Sequence, residues 1–314
     1  MIVALAGGVG AAKFLRGLVR AMPPQDLTVV VNTGDDIELL GLHISPDVDS
    51  IVYTLAGVAD PVRGWGLHNE TWKALELFGR YGEPTWFQLG DGDLATHIHR
   101  TRRLADGATL SQVTTEIAQS WGVQSTVIPM TDDPVRTRVS VEEAGSGRGL
   151  DLHFQEYFVK RQAQDPVREV RFEGIEDAKP APALLPSIAD ADAVIVCPSN
   201  PVVSIGPILA LPGVRSALRN FNGKVVGISP IIRGAPVKGP ADRLMPAVGM
   251  EVSCVGVADA YRDFLHTLVI DFADTERAPE IAALEVDPVP APTLMRGVPQ
   301  ATVLARTVLG LLAQ

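Results

Sequence analysis

The stretch Ile2-Val3-Ala4-Leu5-Ala6-Gly7-Gly8-Val9-Gly10-Ala11-Ala12-Lys13 decides the fold. A short apolar run ending in glycines reads as a buried strand and a tight turn. Phe14, Leu15, Leu18, Val19 and Met22 then recur at helical spacing until Pro23-Pro24 stops the run. A helix opening on such a turn presents free backbone N–H groups and the positive end of its dipole, which favours an anion. Glycines let the backbone lie close to a phosphate. Gly7, Gly8, Gly10 and Lys13 are therefore candidate phosphate-binding residues. The run lacks the third glycine of the dinucleotide fingerprint and the Gly-Lys-Ser/Thr ending of a P-loop. By itself it serves equally well as a strand-to-helix turn with no ligand.

Working outward, Leu27–Val31 is a second buried strand, and strand-like and helix-like segments alternate through most of the chain. Helices are predicted over Asn69–Tyr81 and Ser111–Trp121, and strands at Trp86–Leu89, Thr126–Ile128, Ala193–Val196, Val225–Ile228 and Val252–Val257. Between residues 136 and 186 the pattern changes. Arg138–Val141 and Leu150–Phe154 alternate with period two around Gly145-Ser146-Gly147, which reads as a hairpin, with Val170–Phe172 a further strand. The expected fold is α/β: a Rossmann-like, doubly wound, mostly parallel sheet over 1–135 and 187–314, with a small inserted β-containing subdomain at 136–186.

The chain has 314 residues, is 46% hydrophobic and carries a formal net charge of −10. That balance argues against a broad nucleic-acid or anionic-membrane surface, so an anionic ligand must be held by local groups or a metal ion. Cys197 and Cys254 lie in apolar runs and read as buried reduced thiols of a cytoplasmic protein. No apolar stretch is long enough for a membrane span. The apolar first residues lack a basic flank and are cut short by the glycine turn, so no signal peptide is expected.

Ligands of open α/β sheets gather outside the carboxyl ends of the strands. Three such ends are polar here. Asn32-Thr33-Gly34-Asp35-Asp36 is followed by Ser45-Pro46-Asp47-Val48-Asp49, a carboxylate cluster suited to Mg²⁺ or, alternatively, to helix capping. In a regular helix Asp47 and Asp49 lie about 200° apart, so one is expected to meet metal or substrate while the other caps or pairs. Gly90-Asp91-Gly92-Asp93 opens a helix; His97 and His99 diverge on it by the same rule, and Arg100, Arg102 and Arg103 read as a solvated face. Ser199, Asn200 and Ser204 offer hydroxyl and amide hydrogen bonds after a buried strand, and Arg233 and Lys238 offer cations on a fourth loop.

Taken together these loops resemble the 2-phospho-L-lactate transferase family of coenzyme F-420 biosynthesis, almost end to end. The resemblance rests on Gly7–Gly10 with Lys13, on Val30–Asp36, on Ser45–Asp49 and on Trp65-Gly66. It extends through Leu89–His97, Met130–Pro134, His153–Gln155, Pro198–Ile208 and Ser229–Ile232. It implies a transfer of a phosphorylated three-carbon acid (phospholactyl, enolpyruvyl-phosphate or phosphoglyceryl) from a guanosine-diphosphate-linked donor to the deazaflavin Fo. GMP is released, Mg²⁺ is required, and a homodimer is implied. It further implies that the Gly7–Gly10 turn, Ser199, Asn200 and Ser204 hold nucleotide phosphates. Asp36, Asp47 and Asp49 bind Mg²⁺ or orient the attacking hydroxyl, with Asp36 and Asp49 catalytic, and Asp49 and Gln88 contact Fo. Relatives often carry Gly-Asp-Arg-Asp where this chain has Gly90-Asp91-Gly92-Asp93, so any role of that arginine is absent or supplied elsewhere.

Two other readings bear on the same residues. A dinucleotide-dependent dehydrogenase calls for an acidic residue at the end of the second strand, where Asn32 stands. A nucleotide-sugar-binding regulator of the gluconeogenesis-factor type would bind nucleotide without turnover and would not bind a deazaflavin.

Overall fold

The computed structural model describes residues 1–143 and 145–313. Seven parallel strands form the central sheet: β1 (Ile2–Ala6), β2 (Leu27–Val31), β3 (Thr126–Pro129), β4 (Ala193–Val196), β5 (Lys224–Ile228), β6 (Thr267–Asp271) and β7 (Asp287–Ala291). Their spatial order is β7-β6-β5-β4-β1-β2-β3, all pairings parallel. The order reverses between β1 and β4, which makes that gap the switch point of a doubly wound sheet.

Alternation along β1 explains why both faces are covered. Val3 and Leu5 join one apolar core and Ala4 and Ala6 the other, all fully buried. The second core is built by helices α1 (Gly8–Ala21) and α2 (Pro46–Ala56) with the C-terminal helix Val298–Leu312. Gly17 of α1 allows a close helix crossing: a Cβ there would lie 2.3 Å from the Ala301 backbone. Helices α3 (Lys73–Arg80), α4 (Asp91–Ala105) and α5 (Leu110–Ser120) follow in the chain. Thr109 and Gln112 close α5 with a reciprocal capping box.

On the opposite face the hairpin predicted around Gly145 is present. Arg136–Glu142 pairs with Gly149–His153 and, on its other side, with Val167–Glu173. Val139 and Val141 from this three-stranded sheet, with Phe154 and Tyr157 just after it, share a core with Val3 and Leu5, on the same side of the parallel sheet.

Several local readings are corrected. Trp86–Leu89 forms no strand; the segment is irregular. The predicted helix start at Asn69 shifts to Lys73, and Asn69 itself sits at φ 58°, outside helical space. Val252–Val257 is not a strand but leads into the helix Cys254–Tyr261, where Ser253 Oγ accepts from the Gly256 N–H at 3.0 Å. A short apolar run does not by itself separate strand from buried helix, and the serine cap decided it. The inserted segment does not end cleanly at residue 186, because its last residues enter the helix Leu184–Ala189. No helix among the described residues is long and apolar enough to cross a membrane.

Candidate active site at the strand-order reversal

The turn after β1 and the loop after β4 meet at the switch point. Gly7 is extended (φ −165°) as the N-cap of α1, and Gly8 takes φ +70°. The glycines are needed for close approach of protein to protein. A Cβ on Gly7 would lie 2.7 Å from Ser204 Cβ and 2.8 Å from Asp47 Oδ2, and one on Gly10 would lie 2.1 Å from the Pro198 carbonyl oxygen. The Gly7 N–H donates to Ser199 Oγ at 3.3 Å. Asn200 Oδ1 accepts from the Val202 N–H at 2.9 Å, holding the loop in a tight turn.

A cavity of about 570 Å³ opens above these loops, within the usual size of a ligand site. Gly7, Gly8, Gly10, Lys13, Asp47, Asp49, Gln88, Ser199, Asn200 and Ser204 all line it. Asp36 does not reach its wall but lies buried behind it. Lys238 is a lining residue; Arg233 lies outside, its N–H spent on Asp274. Trp65, Trp86, Phe87, Phe154 and Phe158 give the cavity an aromatic side.

The carboxylates divide into two groups. In the first, Asn32 Nδ2 donates to Asp47 Oδ2 at 3.0 Å and to the Val203 carbonyl at 3.2 Å, tying β2, α2 and the β4 loop together. Asp36 Oδ2 accepts from Ser45 Oγ at 2.8 Å and lies 3.0 Å from His43 Nε2. Burial, then Asp47, hold the Asp35 carboxyl well above its usual range; burial, with Asp36 adding to it, lifts Asp47 to about 6. Among the described residues Oδ1 of Asp35 and Oδ1 of Asp36 are buried without a hydrogen-bond partner.

The second group gathers between α2 and α4. Asp49 receives both guanidinium nitrogens of Arg100, Nη1 at 3.1 Å and Nη2 in still closer contact, and the Arg100 side chain is fully buried. Arg100 is thus not part of a solvated face; it is the buried partner that the acidic site demands. Asp47 and Asp49, two residues apart on the first turn of α2, point to different partners, as helical geometry requires. His97 Nδ1 lies 3.6 Å from Asp49 Oδ2, whereas His99 turns outward to Glu116 at 3.3 Å. Burial pushes His97 down to about 4. Asp91 does not cap its own helix: its carboxylate accepts from the Ala74 N–H at 2.9 Å and caps α3. Asp93 faces the cavity, and burial, Asp49 and Glu70 raise it to about 7.

At Gly92, Leu67 and Glu70 border the space a Cβ would take, at 2.9 and 3.1 Å. The neighbouring loop brings a cation, Arg63, to this side. Arg63 stacks over Trp65 and Trp72, 5.2 and 4.9 Å from the ring centres, and its field acts on Asp93.

Among the described residues no three His, Cys, Asp or Glu side chains are already arranged as a metal site, so Asp36, Asp47 and Asp49 do not converge as one ligand set. Sequence reasoning missed Asp35, Asp93, Arg63 and Arg100 as site residues. The acidic runs carried a signal for the first two, but nothing local distinguishes Arg100 from Arg102 or Arg103.

The model of the family 2-phospho-L-lactate transferase CofD matches residues 2–287. The chain belongs to that family. It is 45% identical over 312 residues to the phosphoenolpyruvate transferase of Streptomyces coelicolor, covering 99% of this chain and 97% of that one. The protein of the same name from Kitasatospora aureofaciens is 45% identical over 316 residues, covering 100% and 98%. That from Mycobacterium ulcerans is 42% identical, covering 96% and 95%. Among solved structures, a UPF0052-family protein from Bacillus halodurans superposes with a TM-score of 0.63 at 16% identity over 98% of both chains. That likeness concerns the fold. Membership of the CofD family places a transferase activity on this scaffold; ligands of open α/β sheets as a class gather at the switch point.

Proposed function

We propose that this protein moves an enolpyruvyl-phosphate group from a guanosine-diphosphate-linked donor to the deazaflavin Fo, releasing GMP, in coenzyme F-420 biosynthesis. The observation that carries the reading is one cavity joining a phosphate-type glycine turn, a carboxylate cluster and an aromatic wall. The enolpyruvyl choice among three-carbon acids follows the name borne by the relatives of about 45% identity.

Phosphoryl-type transfer is carried mainly by positioning and charge neutralisation. The diphosphate would lie against the start of α1 at the Gly7–Gly10 turn, whose Gly7 N–H is itself held by Ser199, and would meet Lys13 and the Ser199, Asn200 and Ser204 side chains. No three acidic side chains among the described residues are already arranged as a metal site, so a hard cation would be shared between the buried, cavity-lining Asp35 and Asp47 and the donor phosphate oxygens, with Asp36 behind them; these carboxylates crowd one another, and Oδ1 of Asp35 and of Asp36 lacks a hydrogen-bond partner. Mg²⁺ held there would neutralise charge on the donor phosphates. Asp49, its orientation locked by Arg100, and Gln88 then meet the acceptor, whose flat ring suits the Trp65, Trp86 and Phe87 side.

The test mixes purified protein with Fo, Mg²⁺, GTP, each three-carbon phosphate in turn and a guanylyltransferase that joins them. The product is read by mass. A deazaflavin phosphodiester from phosphoenolpyruvate is expected. Nucleotide binding with no new phosphodiester from any donor would replace the transferase reading with the regulator one.

A further inference from the structure

We propose that Asp93 takes the proton from the acceptor hydroxyl that attacks the donor phosphorus. The inference rests on the transfer reading above. Among the carboxylates bordering the cavity, each of the others has employment visible in its contacts. Asp49 is paired with both guanidinium nitrogens of Arg100, Asp47 accepts from Asn32, and Asp35 belongs to the crowded group assigned to a cation. Asp93 is different. It stands on the first turn of α4 beneath the Trp65-Gly66 segment, where the missing Cβ of Gly66 leaves room for Oδ2 at 3.3 Å from that position. The residue is 6% exposed, lines the cavity, and its Oδ1 has no hydrogen-bond partner among the described residues.

The surrounding elements keep it that way. Glu70 takes the Gly92 and Asp93 N–H groups, at 2.8 and 3.2 Å, so its own charge, not an amide, sits behind Asp93. From α2 come Asp49 and the Tyr53 hydroxyl, and from the loop after α2 come Glu70 and Arg63. Burial and the two acids outweigh Tyr53 and Arg63 and bring Asp93 to about 7, where a carboxylate is basic enough to share a hydroxyl proton near neutral pH. His97, the histidine on this side, is held down to about 4 by burial and by Arg100 and is too weak a base to compete.

The step balances. The acceptor O–H bond breaks and its proton passes to the Asp93 carboxylate, while the hydroxyl oxygen forms its bond to the phosphorus next to the three-carbon acid. The P–O bond to GMP breaks, and GMP leaves with the electron pair.

The experiment compares full-length wild type, Asp93→Asn and Asp93→Glu with Mg²⁺ present. Fo binding is followed by deazaflavin fluorescence, and kcat by product mass across pH 5.5–9. Wild type should show kcat rising with pH as Asp93 ionises. Asp93→Asn should lose about 10²–10⁴-fold in kcat while binding Fo within about threefold, and its residual rate should lack that acid limb. Asp93→Glu should restore part of the rate together with the limb. Wild-type turnover with Asp93→Asn within about tenfold, or an acid limb unchanged in Asp93→Asn, overturns the role of Asp93 alone. If Asp93→Asn does not bind Fo, an Asp93→Glu profile without the limb overturns it equally. No product from wild type overturns the transfer reading, and the base assignment falls with it.

Discussion

Arg100 on α4 grips Asp49 on α2 through both guanidinium nitrogens, with the arginine side chain wholly out of water. A charge so buried is tolerable only because its partner is there, and the dependence is mutual. Arg100→Met should therefore cost about 3–5 kcal/mol of stability by stranding Asp49, and Asp49→Asn should cost a similar amount by stranding Arg100. The double variant Asp49→Asn/Arg100→Met should regain most of that stability and none of the turnover. Urea unfolding of the four proteins checks this, and additive losses in the double variant would refute the coupling.

The carboxylate group near the glycine turn predicts an unusual pH dependence. Asp47 is raised to about 6 in the folded protein, so it holds its proton longer there than in the unfolded chain. Its contribution favours the fold at acid pH and is lost as pH rises from about 4 to about 6. His97, depressed to about 4, acts in the opposite sense over part of this window, but it is common to wild type and Asp47→Asn. In chelator, the stability of Asp47→Asn relative to wild type should thus climb through pH 4–6, by at most about 3 kcal/mol, and then level. Added Mg²⁺ should raise the wild-type Tm more at pH 8 than at pH 5, and should move Asp47→Asn less. A pH-independent difference between the two proteins would contradict the assignment.

Gly10→Ala places a methyl group where the Pro198 carbonyl already sits, 2.1 Å away. Overpacking of this kind costs about 1–3 kcal/mol, and here it pushes the β1 turn from the β4 loop. Guanine-nucleotide affinity should fall more than Fo affinity. Calorimetric titration with each ligand separates the two, and equal losses would indicate general unfolding.

The aromatic side makes a prediction for the acceptor. Trp86 and Phe87 meet edge to face at 5.7 Å and both line the cavity. Trp86→Ala should weaken Fo binding about 3–10-fold, the worth of one aromatic contact, and leave nucleotide affinity unchanged. Unaltered fluorescence titration with Fo would move the ring elsewhere in the cavity.

Strands β1 to β5, the glycine turn, the hairpin around Gly145 and the polar strand ends were legible, because each is written in a short window: period-two or apolar runs, glycine clusters, caps; β6 and β7 and the spatial order of the strands were not. Even the divergence of Asp47 and Asp49 followed from 100° per residue along one helix. Where short-range signals were balanced, they failed. Val252–Val257 is as apolar as a strand, and only its seat behind Ser253 makes it the start of a helix. Arg100 reads like its neighbours Arg102 and Arg103 until α4 is laid against α2. The amino-acid sequence by itself determined that a parallel sheet would bring glycines, hydroxyls and carboxylates to one edge, since local periodicity sets strand ends and strand ends set the loops. Only the tertiary structure decided which carboxylate is paired, which are crowded and which faces the cavity from α4 with one oxygen unpartnered among the described residues. Burial and partner choice are set by residues distant in the chain, and they fix the charge each group can bear.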